Sequence, residues 1–233
     1  MYIDYTYIIL VLPAVLFALW ANANVNSTYK KYKNQYNIRG LTGAEAAKKV
    51  LESNGIYNVG ITVTSGELTD HFDPKDNVIR LSSEVYSGSS SAAVGIACHE
   101  AGHAVQHAEN YLPAKIRMTI VPITNFASRL SMPLIIIGLL LSAMSARFIT
   151  LAYFGVACFA LSTVFQLVTL PTEFNASNRA VKCIENNCLL SGEEIKGTKK
   201  VLRAAALTYV AALAVSVMQL LRLLIIVGGR RRD

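Results

Sequence analysis

Residues 148–170 read FITLAYFGVACFALSTVFQLVTL, a stretch of 23 residues without a charged side chain. About 20 predominantly apolar residues in a helix are enough to cross the ~30 Å hydrocarbon core of a bilayer. This stretch therefore predicts a transmembrane helix, and its flanks must show how the rest of the chain is arranged around the membrane.

Three further apolar stretches accompany the first. Residues 5–21 carry no charge, residues 120–144 are interrupted by Arg129, and residues 204–227 are interrupted by Arg222. Hydrophobic residues make up 53% of the 233-residue chain and charged residues only 16%, with a mean hydropathy of +0.39. A soluble domain has about 25% charged residues. Any one stretch alone could be a buried core helix, but four predict a mainly α membrane protein with about four transmembrane helices.

The first apolar stretch does not have the charge order of a signal peptide. Asp4 precedes it, and the basic residues Lys30, Lys31 and Lys33 follow it. A signal peptide has its positive charge before the apolar segment. We therefore expect an uncleaved anchor whose N-terminus lies outside the cell.

Lysine and arginine set the predicted orientation. Eleven lie in residues 22–133 and six in residues 171–204, whereas Arg147 alone lies in the hairpin between the second and third spans. The positive-inside rule then places both polar segments in the cytoplasm. The tail from Arg230 to Arg232 disagrees, because four crossings leave it outside. A fourth segment that re-enters the membrane or lies in its interface would remove that conflict.

The net charge of +7 follows mainly from this orientation pattern. A nucleic-acid-binding protein would present one contiguous basic face with stacking aromatic residues. Here the basic residues cluster at the ends of the apolar stretches, so we expect the lipid bilayer as a partner and no nucleic acid.

The first polar segment predicts a small α+β domain. Thr42 and Glu45 have the spacing of a capping box and predict a helix that ends near Ser53. Residues 56–64 alternate and are rich in β-branched side chains, which predicts a strand. Residues 78–81 predict a second, short strand.

A further helix, beginning after Ser90 and Ser91 and reaching about Glu109, carries the sequence HEAGH at residues 99–103. His99 and His103, four residues apart, lie on one helical face about 6 Å apart, so their imidazoles can converge on one zinc ion. Glu100 stands beside the first ligand and can reach a water molecule on the same metal. The alternative is a polar helix with incidental histidines, but three of the chain's four histidines lie here.

Catalytic zinc usually takes a third protein ligand. A metzincin would need Gly at position 106 and His at 109, where this chain has Gln106 and Glu109. His107 lies a further turn along the helix, too far from His99 for one ion, so we expect it beside the site or on the surface. Glu173 directly follows the third apolar stretch, and two membrane crossings return it to the side of the histidine pair. It is the predicted third ligand.

The polar residues around the motif suit contact with water. An intramembrane protease would instead bury the motif inside an apolar span and add an aspartate from another span. With Gln106 and His107 next to the motif, we expect the zinc beside the membrane rather than within it.

At these motifs the chain resembles the YugP-like neutral zinc metallopeptidases of bacterial membranes. The resemblance rests on residues 71–74 (HFDP), 77–82 (NVIRLS), 85–86 (VY), 97–106 (ACHEAGHAVQ) and 170–180 (LPTEFNASNRA). It implies a zinc-dependent, membrane-anchored peptidase with one Zn²⁺ ion, His99 and His103 as ligands and Glu100 as general base.

The chain is also distantly similar to the HtpX/Ste24 peptidases, in which a glutamate on a second helix is the third ligand and an aspartate four residues later supports the site. In this chain that later position is Ser177. We therefore expect Ser177, Asn178 or a water molecule in the aspartate's place.

Substrate binding needs further groups. His71, Tyr86 and Arg179 are the candidates for a donor that stabilises the oxyanion. For His71 a surface position is an equal alternative. The strand formed by Val78, Ile79, Arg80 and Leu81 is the predicted edge to which an extended substrate would add, with ordinary sheet packing as the alternative.

The sequence thus predicts a mainly α membrane protein with a small zincin-like α+β catalytic domain and a gluzincin-like ligand set. We expect a multi-pass protein of the bacterial cell membrane that cleaves membrane or membrane-proximal proteins on the cytoplasmic side. The alternative is a catalytically silent, zinc-binding membrane scaffold that binds partners.

The expected segments are 1–22 (anchor), 23–117 (cytoplasmic part with the HExxH helix), 118–170 (transmembrane hairpin), 171–203 (cytoplasmic helix with the third ligand) and 204–233 (C-terminal transmembrane helix and basic tail).

Overall fold

The computed structural model describes residues 4–229, and within them it confirms a mainly α membrane protein with a small α+β region. The tail from Arg230 to Arg232, which disagrees with the predicted orientation, lies outside the described residues. In chain order the elements are a π-helical turn (Tyr7–Val11), α1 (Leu12–Tyr32), α2 (Gly43–Ser53), β1 (Gly60–Thr64), β2 (His71–Asp73), β3 (Val78–Ser82), α3 (Ser83–Ser87), α4 (Ser91–Ala108), α5 (Leu112–Ser142), a 3₁₀ turn (Ala146–Phe148), α6 (Ile149–Asn186) and α7 (Gly192–Gly229).

Within residues 4–229, four helical segments are long and apolar enough to cross a membrane: Tyr7–Tyr32, Leu112–Ser142, Ala146–Asn186 and Gly192–Gly229. All four extend beyond the apolar stretches of the sequence. The 41 residues of the third segment would extend about 60 Å, twice the ~30 Å of a hydrocarbon core. The helices therefore continue into polar sequence, and those polar ends carry residues of the predicted site.

The described residues divide into two compact units. The helical unit comprises residues 4–21, Ile116–Leu170 and residues 208–229, and the α+β unit comprises Asn22–Lys115 and Pro171–Leu207. Every residue of the predicted metal site belongs to the α+β unit.

Small residues bring helices together in the helical unit. A Cβ added at Gly138 would lie 2.4 Å from the backbone nitrogen of Ala152, so α5 and α6 pack backbone against backbone there. Pro122 and Pro133 both lie inside α5, which remains one helix. The apolar core of this unit consists of Ile135, Ala152, Val156, Leu223 and Val227.

The predicted elements of the α+β unit are largely present. Helix α2 begins at the expected capping box, in which the Thr42 hydroxyl accepts from the Glu45 backbone N–H and the Thr42 N–H donates to the Glu45 carboxylate. The strand predicted over residues 56–64 is shorter, since β1 begins only at Gly60 and ends at Thr64.

The sheet contains a strand, β2, that the sequence does not predict. Because β2 pairs with β3, β3 is not an edge strand. Strand β2, only three residues long, pairs antiparallel with β3, while β1 pairs parallel with β3 on the other side. The order is β1-β3-β2, so β3 is central. The assignment of Val78, Ile79, Arg80 and Leu81 to a substrate-binding edge is therefore wrong, because β1 pairs with all four residues on one side and β2 pairs with the first three on the other.

The sheet and helices α2, α4 and α6 enclose the core of this unit. Its buried apolar side chains include Val50, Ile79, Leu81, Val105 and Ile184. Helix α4 approaches α6 closely, since a Cβ at Gly102 would lie 2.7 Å from the carbonyl oxygen of Ala176. This contact brings the histidine pair on α4 beside the glutamate on α6.

Candidate metal centre

Three side chains converge at the junction of α4 and α6. The Nε2 atoms of His99 and His103 lie 3.1 Å apart, and Glu173 Oε2 lies 3.3 Å from the first and 3.5 Å from the second. Among the described residues, these three form the group of histidine, cysteine and acidic side chains whose ligand atoms lie close enough to share an ion. The predicted ligand residues are thus brought together.

The geometry and chemistry of this group fit zinc. Ligand atoms bound tetrahedrally at about 2.0–2.1 Å from one zinc ion lie about 3.3 Å from each other, and the three observed separations range from 3.1 to 3.5 Å. Two imidazole nitrogens and one carboxylate oxygen are the usual donors of a catalytic zinc site, which keeps a fourth position open. Glu173 is only 2% exposed, so its carboxylate is largely removed from water.

The other ring nitrogen of each histidine has a side-chain partner. Ser177 Oγ lies 3.1 Å from His99 Nδ1, and Gln106 Oε1 lies 3.0 Å from His103 Nδ1. A partner on Nδ1 fixes the ring orientation and directs Nε2 towards the metal position. Ser177, one of the groups expected in the aspartate's place, contacts His99 directly.

Gln106 is the residue that the sequence analysis places wrongly. It was expected to face water, but it is 0% exposed. Its amide nitrogen donates to the carbonyl oxygen of Thr172 at 2.8 Å and to Asn175 Oδ1 at 2.9 Å. One buried amide thus links His103 to the segment of α6 that carries Glu173. Gln106 lies three residues after His103 on the same face of the helix, and this spacing is the feature of the sequence that could have indicated their contact.

Glu100 lies beside the ligands and is 8% exposed. Its Oε2 accepts a hydrogen bond of 3.0 Å from the backbone N–H of Phe72 in β2. Burial raises the pKa of this carboxyl above its ordinary value, while the neighbouring imidazoles act in the opposite direction. The carboxylate is thus fixed by the short strand β2.

The remaining two histidines lie outside the ligand cluster. His107 is exposed, and its ring packs 5.7 Å from the ring of Phe72. His71 opens β2, is exposed, and has its Nδ1 atom 2.7 Å from the carbonyl oxygen of Thr69. His71 therefore adjoins, along the strand, the residue that holds Glu100.

The other predicted supporting residues contact different partners. Tyr86 packs against the apolar core of the α+β unit and lines a groove with Tyr57. Arg179 donates from Nε to Asn175 Oδ1 at 2.7 Å and forms an ion pair of 2.6 Å with Glu109.

Asn178 lines a larger groove beside α6. Arg80 of the central strand forms ion pairs with Asp73 and Asp76.

Comparison with known proteins supports the same chemistry. Residues 7–228 match the family described as "Putative neutral zinc metallopeptidase". The chain is 43% identical over 225 residues to "Putative membrane protease YugP" of Bacillus subtilis (strain 168), a match that covers 96% of this chain and 98% of that protein. No solved structure matches the chain.

Proposed function

Because the chain belongs to the neutral zinc metallopeptidase family, we propose that it is a membrane zinc endopeptidase that hydrolyses membrane or membrane-proximal proteins. The observation that carries the proposal is the convergence of His99, His103 and Glu173 within 4.8 Å, with Glu100 next to His99 on the same helix. A purely structural zinc site needs no carboxylate base beside it, so Glu100 favours the enzyme over a silent scaffold.

The roles follow from the positions of the side chains. His99, His103 and Glu173 would hold one zinc ion. When bound, zinc supplies a Lewis acid that polarises the substrate carbonyl and acidifies a water molecule. The N–H of Phe72 holds Oε2 of Glu100, so we assign Oε1 to take a proton from the attacking water. Glu100 then returns that proton to the leaving amine.

For the oxyanion donor we propose His71 rather than Tyr86 or Arg179. His71 directly precedes Phe72, whose N–H binds Glu100. Tyr86 packs against the apolar core, and Arg179 is engaged by Glu109. A His71→Ala variant should keep its zinc and lose about tenfold or more in kcat, because a single donor to a developing oxyanion contributes that much or more. Zinc loss from this variant would contradict the assignment.

A pair of variants tests the central proposal. Glu100→Gln should retain zinc and lose at least about 100-fold in kcat, the usual contribution of a general base. Glu173→Gln should lose zinc affinity because it removes a charged ligand. The measurements are zinc content of the detergent-purified full chain and cleavage of β-casein.

Two results would contradict this proposal. One is a Glu173→Gln variant that binds zinc as tightly as the wild type. The other is a Glu100→Gln variant with undiminished cleavage. A zinc-loaded wild-type protein that cleaves neither casein nor any membrane protein tried would favour the scaffold alternative.

We further propose that residues 23–117 and 171–203 form a catalytic part in the cytoplasm, with residues 1–22, 118–170 and 204–233 in the membrane. The excess of lysine and arginine in the two polar segments supports this orientation. Reporter fusions after residue 115 and after residue 190 should both be active in the cytoplasm. Activity of either fusion outside the cell would overturn the orientation.

A further inference from the structure

A groove with a cavity volume of about 1030 Å³ lies on the α+β unit, between α2 and the polar ends of α6 and α7. Its lining includes four basic residues, Arg179, Lys182, Lys199 and Arg203, together with five asparagines. No aspartate or glutamate is among the described residues that line it. Hydrogen-bond donors of positive or neutral charge therefore dominate its polar surface.

The basic residues form stripes on two helices. On α6, Arg179 and Lys182 are three residues apart, and on α7, Lys199 and Arg203 are four residues apart. Residues at these spacings lie on one face of a helix. The two stripes thus line the same groove from different helices.

Two of the four cations already have acidic partners. Arg179 forms an ion pair of 2.6 Å with Glu109, and Lys199 forms one of 2.6 Å with Glu185. Lys182 and Arg203 are exposed, and no ion pair within residues 4–229 includes either of them. The groove therefore offers two uncompensated positive charges.

The groove is also amphipathic. Phe174, Val181, Leu202 and Ala206 line it beside the polar residues. Arg203 directly precedes residue 204, where the apolar stretch of α7 begins. A ligand in the groove would thus meet cations and amides close to where the helix enters hydrocarbon.

We propose that this groove binds the phosphate headgroup of an anionic phospholipid, with Lys182 and Arg203 as its main contacts. Lysine and arginine next to a membrane span attract anionic lipids, and asparagine amides supply further donors to phosphate oxygens. The cavity volume is of the size that holds a small ligand. An acidic peptide would also suit the charge, but the apolar lining and the nearby span favour a lipid.

The test measures lipid binding by the full-length protein in a neutral detergent. Phosphatidylglycerol should bind and phosphatidylcholine should not, as measured by native mass spectrometry. The double variant Lys182→Ala/Arg203→Ala should bind phosphatidylglycerol about 25-fold more weakly, since each basic residue near an anionic surface contributes roughly fivefold in affinity. Lys49→Ala/Lys75→Ala, which changes two exposed lysines outside the groove, is the matched control and should bind like the wild type.

Several outcomes would overturn the proposal. They are equal binding of the two lipids, an unchanged affinity of the double variant, or an equal loss in the control variant. Soluble glycerol 3-phosphate binding as tightly as the lipid would show a site for free phosphate compounds, and binding of an acidic peptide instead of the lipid would show a peptide site. Thermal unfolding of the detergent-solubilised protein verifies folding of each variant. Because the readout is lipid binding rather than proteolysis, this test does not depend on the proposed catalytic activity.

Discussion

Two uncharged side chains hold the histidines of the candidate metal centre. Ser177 contacts His99 and Gln106 contacts His103, in each case at the Nδ1 atom. The Nε2 atoms consequently face Glu173. At the scale of single residues, the site is thus organised by hydrogen bonds that keep the two imidazole rings in one orientation.

Gln106 provides the sharpest test of this organisation. Gln106→Leu should weaken zinc binding about 10- to 100-fold, because loss of a hydrogen-bonding partner of a ligand has an effect of that size. Gln106→Glu keeps an acceptor for His103 but loses the donor to Thr172 and Asn175, so it should retain more zinc affinity than the leucine variant. Competition with a chelator measures the affinity.

His107→Ala is the matched control for Gln106, because it changes an exposed residue of the same helix. It should bind zinc like the wild type. If it lost as much affinity as Gln106→Leu, His107 would have to be reconsidered as a ligand, and the role given to Gln106 would be wrong.

The sequence predicts the three candidate ligand residues, and the family resemblance points to Ser177, but neither indicates the role of Gln106. His99 and His103 are recognisable from local spacing, and Glu173 from the two membrane crossings that separate it from them. Gln106 and Thr172, in contrast, are 66 residues apart, and a polar residue in a helix is ordinarily expected in water. Only the packing of α4 on α6 shows that the amide is buried.

At the scale of elements, Gly102 sets the distance between the two ligand-bearing helices. Gly102→Ala would place a Cβ 2.7 Å from the Ala176 carbonyl oxygen, a rigid backbone atom. We expect a loss of about 1–3 kcal/mol in the free energy of unfolding, as for other overpacked positions, and weaker zinc binding because Ala176 lies between Glu173 and Ser177. Thermal unfolding and chelator competition measure the two effects.

Gly192→Ala is the control for this clash. A Cβ at Gly192, the first residue of α7, meets nothing within 4 Å. That variant should unfold at or slightly above the wild-type temperature, because alanine suits a helix better than glycine. If Gly102→Ala and Gly192→Ala destabilised the protein equally, the close approach of α4 to α6 would not be the reason that position 102 requires glycine.

The sheet shows where local sequence patterns stop being informative. The hydrophobic pattern of residues 78–81 correctly predicts a strand, which the structure extends to Val78–Ser82. It does not reveal the strand's neighbours, because β1 pairs with it across an 18-residue offset (Gly60 with Val78) and β2 is only three residues long. A pattern of side chains fixes which face of a strand is buried, whereas its place in the sheet depends on pairing partners.

At the scale of the whole molecule, the longest-range ion pair explains an arginine that interrupts an apolar stretch. Arg222 binds Asp4 through Nε, 3.1 Å from Oδ2, and through Nη2. Its guanidinium also lies 5.4 Å from the centre of the Tyr7 ring. A charged residue in a membrane helix is costly unless it is paired. The pairing of residues 218 positions apart cannot be read from the sequence, in which Asp4 precedes one apolar stretch and Arg222 interrupts another.

This ion pair predicts a coupling between the first and last helices of the helical unit. Asp4→Asn and Arg222→Leu should each lower the unfolding temperature of the detergent-solubilised protein, because each leaves one charge without its partner. The exchange Asp4→Arg/Arg222→Asp should recover part of the loss. Glu67→Gln, at an exposed site in the other unit, should leave the unfolding temperature unchanged. If the exchange variant recovers part of the unfolding temperature, the loss in the single variants is due to the broken ion pair and not to substitution at these positions in general.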